Sequence, residues 1–317
     1  TLLAASDSRL RARDSLDAVA GSPSLGNLIE DPKRPDVAVI DLQAGGLAAE
    51  RLRELRTNLQ FARTPAGQRP KVIAVTSPSP GDGRSTTAID LAATFAEAGR
   101  SVLLVDGDLL NPTLADALAL TDADRARADQ RGLGTALAGD HDVAAAVLSS
   151  PGDNAFALLP AGPSPATRRQ LWGDENAQRL IDSLRDAYDY VVIDTPPLTT
   201  CSDGAAAAAL GDGAIVLARI GHTKTKPLRA ALQVLEAANA RVLGTVVTCE
   251  PGHRRQLSKP AQPHAQPQAP SIVAPKPDAS ATRQAGNGSA ETPTEAAAGT
   301  TNQAGAHRMS GVKREGL

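Results

Sequence analysis

The sequence predicts an α/β protein with a doubly wound, mostly parallel sheet, and three observations carry that prediction. Short β-branched or apolar runs recur along the chain, as in Lys71–Thr76, Tyr188–Asp194, Gly213–Arg219 and Val242–Val247. Helical segments of about 10 to 15 residues separate them, which implies right-handed βαβ crossovers and a sheet covered on both faces. Residues able to do chemistry stand where strands end, and ligands of open α/β sheets lie at the carboxyl ends of the strands.

In chain order, residues 1–45 mix Arg, Asp and Ser with short apolar pieces such as SLGNLIEDP and read as a loosely structured approach segment, with a short charged helix over Ser8–Ala20. Leu47–Phe61 carries Leu47, Leu52, Leu55 and Leu59 near helical spacing, and Glu50, Arg53 and Arg56 at successive steps of three. Those three charges share one side of a helix. Two readings stand: a solvated face with an intrahelical Glu–Arg pair, or a contact between subunits. Ala157–Pro160 is a short strand, Asn176–Ala187 and Pro227–Asn239 are helices. Residues 251–317 are rich in Pro, Ala, Gln, Ser and Thr, hold no aromatic residue and show no apolar period. They cannot bury enough surface to offset ordering entropy and read as a disordered tail. The organisation is thus 1–45, a domain over 46–250, and the tail.

Lys71–Gly99 reads as strand, Gly/Pro/Ser loop, Ala-rich helix. Amides around Gly81, Asp82 and Gly83 and the first helical turn at Arg84, Ser85 and Thr86 converge on one concavity where the helix N-terminus favours a phosphate. The loop departs twice from GxxxxGK[ST]. Pro78 stands in place of the first Gly, and Arg84 in place of Lys. The next strand ends in Asp106 and Asp108, which alternation puts on one face. Asp194 closes the strand in YDYVVIDTPPL, the form of a Walker B carboxylate that holds Mg²⁺ with the loop hydroxyl.

Composition excludes several functions. One Trp, two Tyr and three Phe in 317 residues supply no stacking platform for single strands, and a net charge of −2 gives no electrostatic case for nucleic acid. Cys201 and Cys249 lack metal-ligand spacing and read as buried apolar side chains. No apolar run approaches the ~18 residues of a membrane span. The chain starts at Thr1 without Met, which suggests excision from something longer.

Taken together, the motifs resemble the cytoplasmic domain of bacterial tyrosine kinases, the BY-kinase or capsular-exopolysaccharide family, of the deviant-Walker P-loop class shared with partition and division-site ATPases. The resemblance spans about residues 8–249. It rests on GluxxArgxxArg with ThrAsnLeuGlnPhe (Glu50–Phe61), Ser77–Thr86 as Walker A, Val105–Pro112 as Walker A′, LeuLeuProAlaGly (Leu158–Gly162) and Tyr190–Pro197 as Walker B. It implies ATP and Mg²⁺ as cofactors, with amides at Gly81–Ser85 on the phosphates, Ser85 on the metal and Asp194 behind it. Asp106 and Asp108 would lie near the γ-phosphate, one accepting the tyrosine proton, with Asp106 also facing the metal. Glu50, Arg53 and Arg56 match the family's subunit-contact motif. The implied partners are further copies of the chain, a polysaccharide chain-length determinant membrane segment, fused or separate, and a tyrosine substrate on a protein. The implied location is the cytoplasmic side of the plasma membrane. Against an active kinase stand Arg84, Leu110 where Arg is usual, Thr248 where an Asn contacts the base, and a tail without tyrosine. A catalytically weak nucleotide-binding regulator is therefore the second reading, and a cargo-positioning ATPase the third.

Overall fold

The computed structural model describes residues 9, 10, 16, 19–29, 39–43, 45–139, 142–151, 155–163 and 171–250. The tail reading of residues 251–317 and most of the helix expected over Ser8–Ala20 lie outside them.

Among the described residues, eight strands form one sheet in the order β1-β8-β7-β2-β6-β3-β5-β4. They are β1 (Ser24–Ile29), β2 (Val72–Thr76), β3 (Val102–Asp106), β4 (Leu148–Ser149), β5 (Ala157–Leu159), β6 (Tyr190–Asp194), β7 (Gly213–Arg219) and β8 (Val242–Glu250). Every pairing is parallel except β4 with β5 at one edge. The α/β, doubly wound architecture is as the alternation of patterns predicts.

Helices α1 (Leu47–Phe61) and α2 (Arg84–Glu97) cover one face. There Leu52, Leu55, Leu59 and Phe95 pack on Ile73, Val75, Leu104, Val192 and Ile215. Three short helices follow β3: α3 (Leu114–Ala117), α4 (Asp122–Ala128) and α5 (Leu133–Leu137). The opposite face carries α6 (Glu175–Ala187), α7 (Asp203–Leu210) and α8 (Thr225–Ala237). Val72, Leu103, Val191 and Ile193 join Leu180, Ile181 and Leu184 in one cluster on that side, while Ala74 and Val216 join Leu228 and Leu235 in another. Alternate residues of β2 therefore feed opposite cores, as a strand period of two dictates. This explains why its sequence is a continuous apolar run.

Two expectations need correction. Ser24–Ile29, placed within the approach segment, is a strand of the sheet, paired in parallel with β8. Its polar Ser24 and Asn27 hid the alternation; Leu25 packs into the core and Asn58 of α1 donates to its carbonyl at 2.8 Å. Leu10 and Leu16 are buried as well. Cys201 and Cys249 form no disulfide and are only partly buried: Cys201 lies in the loop between β6 and the helix Asp203–Leu210, and Cys249 is the penultimate residue of β8, where its φ of 54° departs from the extended strand.

Candidate functional site

The chain leaves β2 at Thr76, turns through Ser77–Gly83 and enters α2. Gly81 and Gly83 have φ of 81° and 92°. A Cβ would strain the chain at both, so glycine lets the loop curl back over the helix start. No side chain caps α2 at Gly83, which leaves its first-turn amides to an anion. Gly81 and Thr86 are exposed, Gly83, Arg84 and Ser85 half-buried.

The Arg84 side chain bends into the loop. Its Nε donates to the Thr195 carbonyl at 2.8 Å, and Nη1 to Ser77 Oγ at 2.8 Å and to the Ser79 carbonyl at 2.9 Å. The guanidinium thus ties the loop to the segment after β6. Its planar fork lets it reach three acceptors at once, which one ammonium on a longer stem does not do in the same plane.

β3 and β6 end side by side, with Asp106 in register with Asp194. Gly107 makes this approach possible: its amide donates to the Asp194 carbonyl at 2.8 Å, and a Cβ there would sit 2.6 Å from that same oxygen. Both carboxylates are about 1% exposed. Asp106 Oδ2 accepts from the Leu114 amide at 3.1 Å. Asp106 Oδ1 and both oxygens of Asp194 have no hydrogen-bond partner among the described residues. Burial pushes Asp106 up to about 8, the Asp194 charge adding to it. It pushes Asp194 up to about 7, with Ser85 and Arg84 opposing.

Asp108, predicted to share a strand face with Asp106, lies past the strand end, so alternation does not govern its direction. It is nonetheless buried, and its Oδ1 accepts from the Leu110 and Asn111 amides, closing the turn. Ser85 Oγ meets Thr113 Oγ1 at 3.0 Å.

Asp82 differs from the other predicted loop residues. Its side chain is fully buried, Oδ2 accepting from the Ser79 amide at 2.9 Å and Oδ1 from Thr223 Oγ1 at 2.6 Å. Thr248, at the position expected to face a base, instead donates to the Asp82 carbonyl at 2.8 Å. Arg219, which ends β7, and His222 and Thr223, which follow it, were missed by sequence reasoning. Their signal was their place at the carboxyl end of the strand beside β2.

Glu50, Arg53 and Arg56 lie away from this loop, at the other end of α2. Arg53 pairs with Glu50 one turn before it and with Glu97 Oε1 at 2.6 Å, and it donates to the Leu42 carbonyl at 3.0 Å. Arg56 donates to the Thr94 carbonyl at 2.9 Å and meets Glu97 at 3.4 Å. The intrahelical pair is present, and the two arginines also bind α1 to α2.

Three buried carboxylate oxygens without donors, beside a hydroxyl and an uncapped helix start, fit a magnesium nucleotide. Mg²⁺ is held by one or two carboxylates plus phosphate oxygens rather than by an all-protein cage. No group of three or more His, Cys, Asp or Glu able to hold a metal occurs among the described residues.

The family model described as an AAA domain matches residues 70–232. Tyrosine-protein kinase YwqD of Bacillus subtilis is 31% identical over 201 residues, 63% of this chain and 81% of that protein. Tyrosine-protein kinase CpsD of Streptococcus pneumoniae serotype 4 is 32% identical over 200 residues, 63% of this chain and 83% of that one. The chain belongs to the bacterial tyrosine kinase family. Among solved structures, the chimerical protein CapA2B2 superposes with a TM-score of 0.65 at 25% identity, covering 76% of this chain and all of the other. The segment matched by the family model takes in the loop, Asp106, Asp194 and Thr223. It stops short of Glu50, Arg53, Arg56 and Thr248 at either end.

Proposed function

We propose that this chain is an ATP-dependent protein-tyrosine kinase that regulates exopolysaccharide or capsule synthesis. The observation that carries the proposal is the trio of buried carboxylate oxygens of Asp106 and Asp194 without a hydrogen-bond partner among the described residues, with Ser85 and Arg84 of the uncapped start of α2 acting on Asp194. Bound magnesium would neutralise phosphate charge. Amides from Gly81 to Ser85 hold and orient the phosphates, and Ser85, Asp194 and Asp106 would hold the metal. Asp108, whose Oδ1 accepts from the Leu110 and Asn111 amides, would take the proton of a tyrosine hydroxyl. Arg84 sets positive charge beside the loop, and phosphoryl transfer asks chiefly for such positioning and charge stabilisation.

The phosphate acceptor is a separate protein. Tyr190 opens β6 at the end opposite Asp194, is 7% exposed, and stacks on Phe95 with ring centroids 3.8 Å apart. Tyr188 is half-buried at that same end. The remaining partners are further copies of the chain through the outer side of α1, where Glu50 is exposed, and a chain-length determinant segment that brings the domain to the cytoplasmic face of the membrane. No helix among the described residues is long and apolar enough to cross a membrane.

One observation favours the weaker reading, a nucleotide-binding regulator: Arg84 spends its donors on protein acceptors. Two measurements separate them. Calorimetry with ADP should show binding that requires Mg²⁺, and labelled phosphate should pass from ATP to a tyrosine peptide. Binding without transfer leaves the regulator. No binding at millimolar nucleotide removes both readings.

A further inference from the structure

The P-loop is braced from outside by residues that do not line it. Thr223, fully buried, stands between β7 and α8; its Oγ1 accepts from the Arg219 amide at 2.8 Å and donates to Asp82 Oδ1 at 2.6 Å. Thr248, near the end of β8, donates to the Asp82 carbonyl. On the outer side His222 Nε2 lies 3.0 Å from the Pro80 carbonyl, and Arg219 Nη1 donates to the Gly81 carbonyl at 3.3 Å. Four side-chain bonds from Arg219, His222, Thr223 and Thr248 thus converge on residues 80–82, and Asp82 itself accepts from the Ser79 amide. This is the stretch whose carbonyls must point outward if its amides are to point at a phosphate.

We infer that Asp82, Thr223 and Thr248 are positioning residues that preset the P-loop for nucleotide. This rests on the nucleotide-binding reading above and deepens it. The physical case is one of conformational cost. A glycine-rich loop with two residues at positive φ samples many shapes when unrestrained, and a ligand that must select one of them binds more weakly by the fraction populated. A buried carboxylate that accepts from an amide three residues before it and from a hydroxyl on another strand's exit holds one shape. Among the described residues, the Thr223 hydroxyl is the only group at hydrogen-bonding distance from Asp82 Oδ1, His222 Nε2 standing farther off at 4.0 Å.

The test is calorimetric MgADP binding by the wild-type chain, Thr223→Val and Thr223→Ser, well below the melting temperature of each. Valine keeps the shape and removes the hydroxyl; serine restores it. The expected result is an affinity loss of about tenfold for Thr223→Val, with Thr223→Ser close to wild type. A threonine that merely supports the core would lower the melting temperature and leave the affinity of the folded protein unchanged. Equal affinities in wild type and Thr223→Val therefore overturn the inference. Should Thr223→Val not fold, Thr248→Val with Thr248→Ser takes its place under the same criteria. Failure of the wild type itself to bind overturns the nucleotide reading and this inference with it.

Discussion

Two buried acids, Asp82 in the loop after β2 and Asp194 at the end of β6, differ in one respect. Each is 1% exposed or less. Asp82 has a donor on each oxygen, the Ser79 amide and the Thr223 hydroxyl. Asp194 has none on either among the described residues. An unpaired buried carboxylate costs free energy that a paired one does not. On the function and the inference proposed above, that cost is retained at Asp194 for an arriving partner, while the paired Asp82 holds the loop's shape. Burial alone does not tell the two apart; the donors do.

The largest effect should come from removing the waiting acid. Asp194→Asn takes away one candidate metal contact, and we expect Mg²⁺-supported nucleotide affinity to fall at least 10- to 100-fold, the range seen for groups that tune a metal. The same change should stabilise the chain without nucleotide or leave it unaltered, because it deletes an unpaired buried charge. Isothermal titration and thermal melts measure both. Unchanged Mg²⁺ dependence would break the comparison.

Next comes pH. Asp106 and Asp194 are raised to about 8 and about 7, burial being the first cause in both. A carboxyl that holds its proton more tightly in the folded chain stabilises it fully below the unfolded value of about 3.9. That stabilisation is lost as pH rises through the folded values, since across the window the native state binds more protons. Without magnesium or nucleotide, melting temperature should therefore drop between pH 5.5 and 8.5, and drop less in Asp194→Asn. A wild-type decline no steeper than the variant's would contradict it.

These contrasts also show how far the sequence could be read. The parallel sheet was legible because Val72–Thr76, Tyr190–Asp194 and Gly213–Arg219 are apolar runs bounded by turn residues. Asp106 and Asp194 were legible because each closes such a run. β1 was not, since Ser24 and Asn27 break its pattern and only pairing with β8 makes it a strand. Nor was the role of Asp82: inside PGDGRS it looks like any loop acid, and its partner Thr223 lies 141 residues away. Contacts of that separation leave no local pattern to read.

A smaller effect is expected at Arg84, which stands between the two cases. Nε and Nη1 are engaged by protein acceptors while Nη2 has no partner among the described residues. Arg84→Lys gives up those ties, at about 1 kcal/mol for each net hydrogen bond. In return it offers a compact ammonium to the γ-phosphate. We expect a slightly lower melting temperature and phosphoryl transfer or ATP hydrolysis faster by roughly tenfold, below the 10²–10³ that one well-placed donor can supply. A slower Arg84→Lys enzyme would mean that the arginine, ties included, is the working arrangement.

The smallest effect belongs to α1. Arg53 is the Asp82 of that region, a charge whose donors are already engaged within the chain by Glu50, Glu97 and the Leu42 carbonyl. Its side chain and that of Glu97 are 26% and 16% exposed, so solvent screens the pair and the expected loss is at most about 1 kcal/mol. Arg53→Ala and Glu97→Gln should each lower the melting temperature by a small amount, since both break the Arg53–Glu97 bridge between α1 and α2, though Arg53→Ala also gives up Glu50 and the Leu42 carbonyl and Glu97→Gln the Arg56 charge. Light scattering then asks what else Arg53 does. If it only seats α1, both variants shift the oligomer mass alike or not at all. A mass change in Arg53→Ala that Glu97→Gln lacks would show Arg53 touching a neighbouring subunit, and the rule that engaged side chains are structural would fail at this helix. The same pair of variants thus reads stability and assembly separately, which Arg53→Ala alone cannot do, because a loosened α1 would disturb any surface it presents.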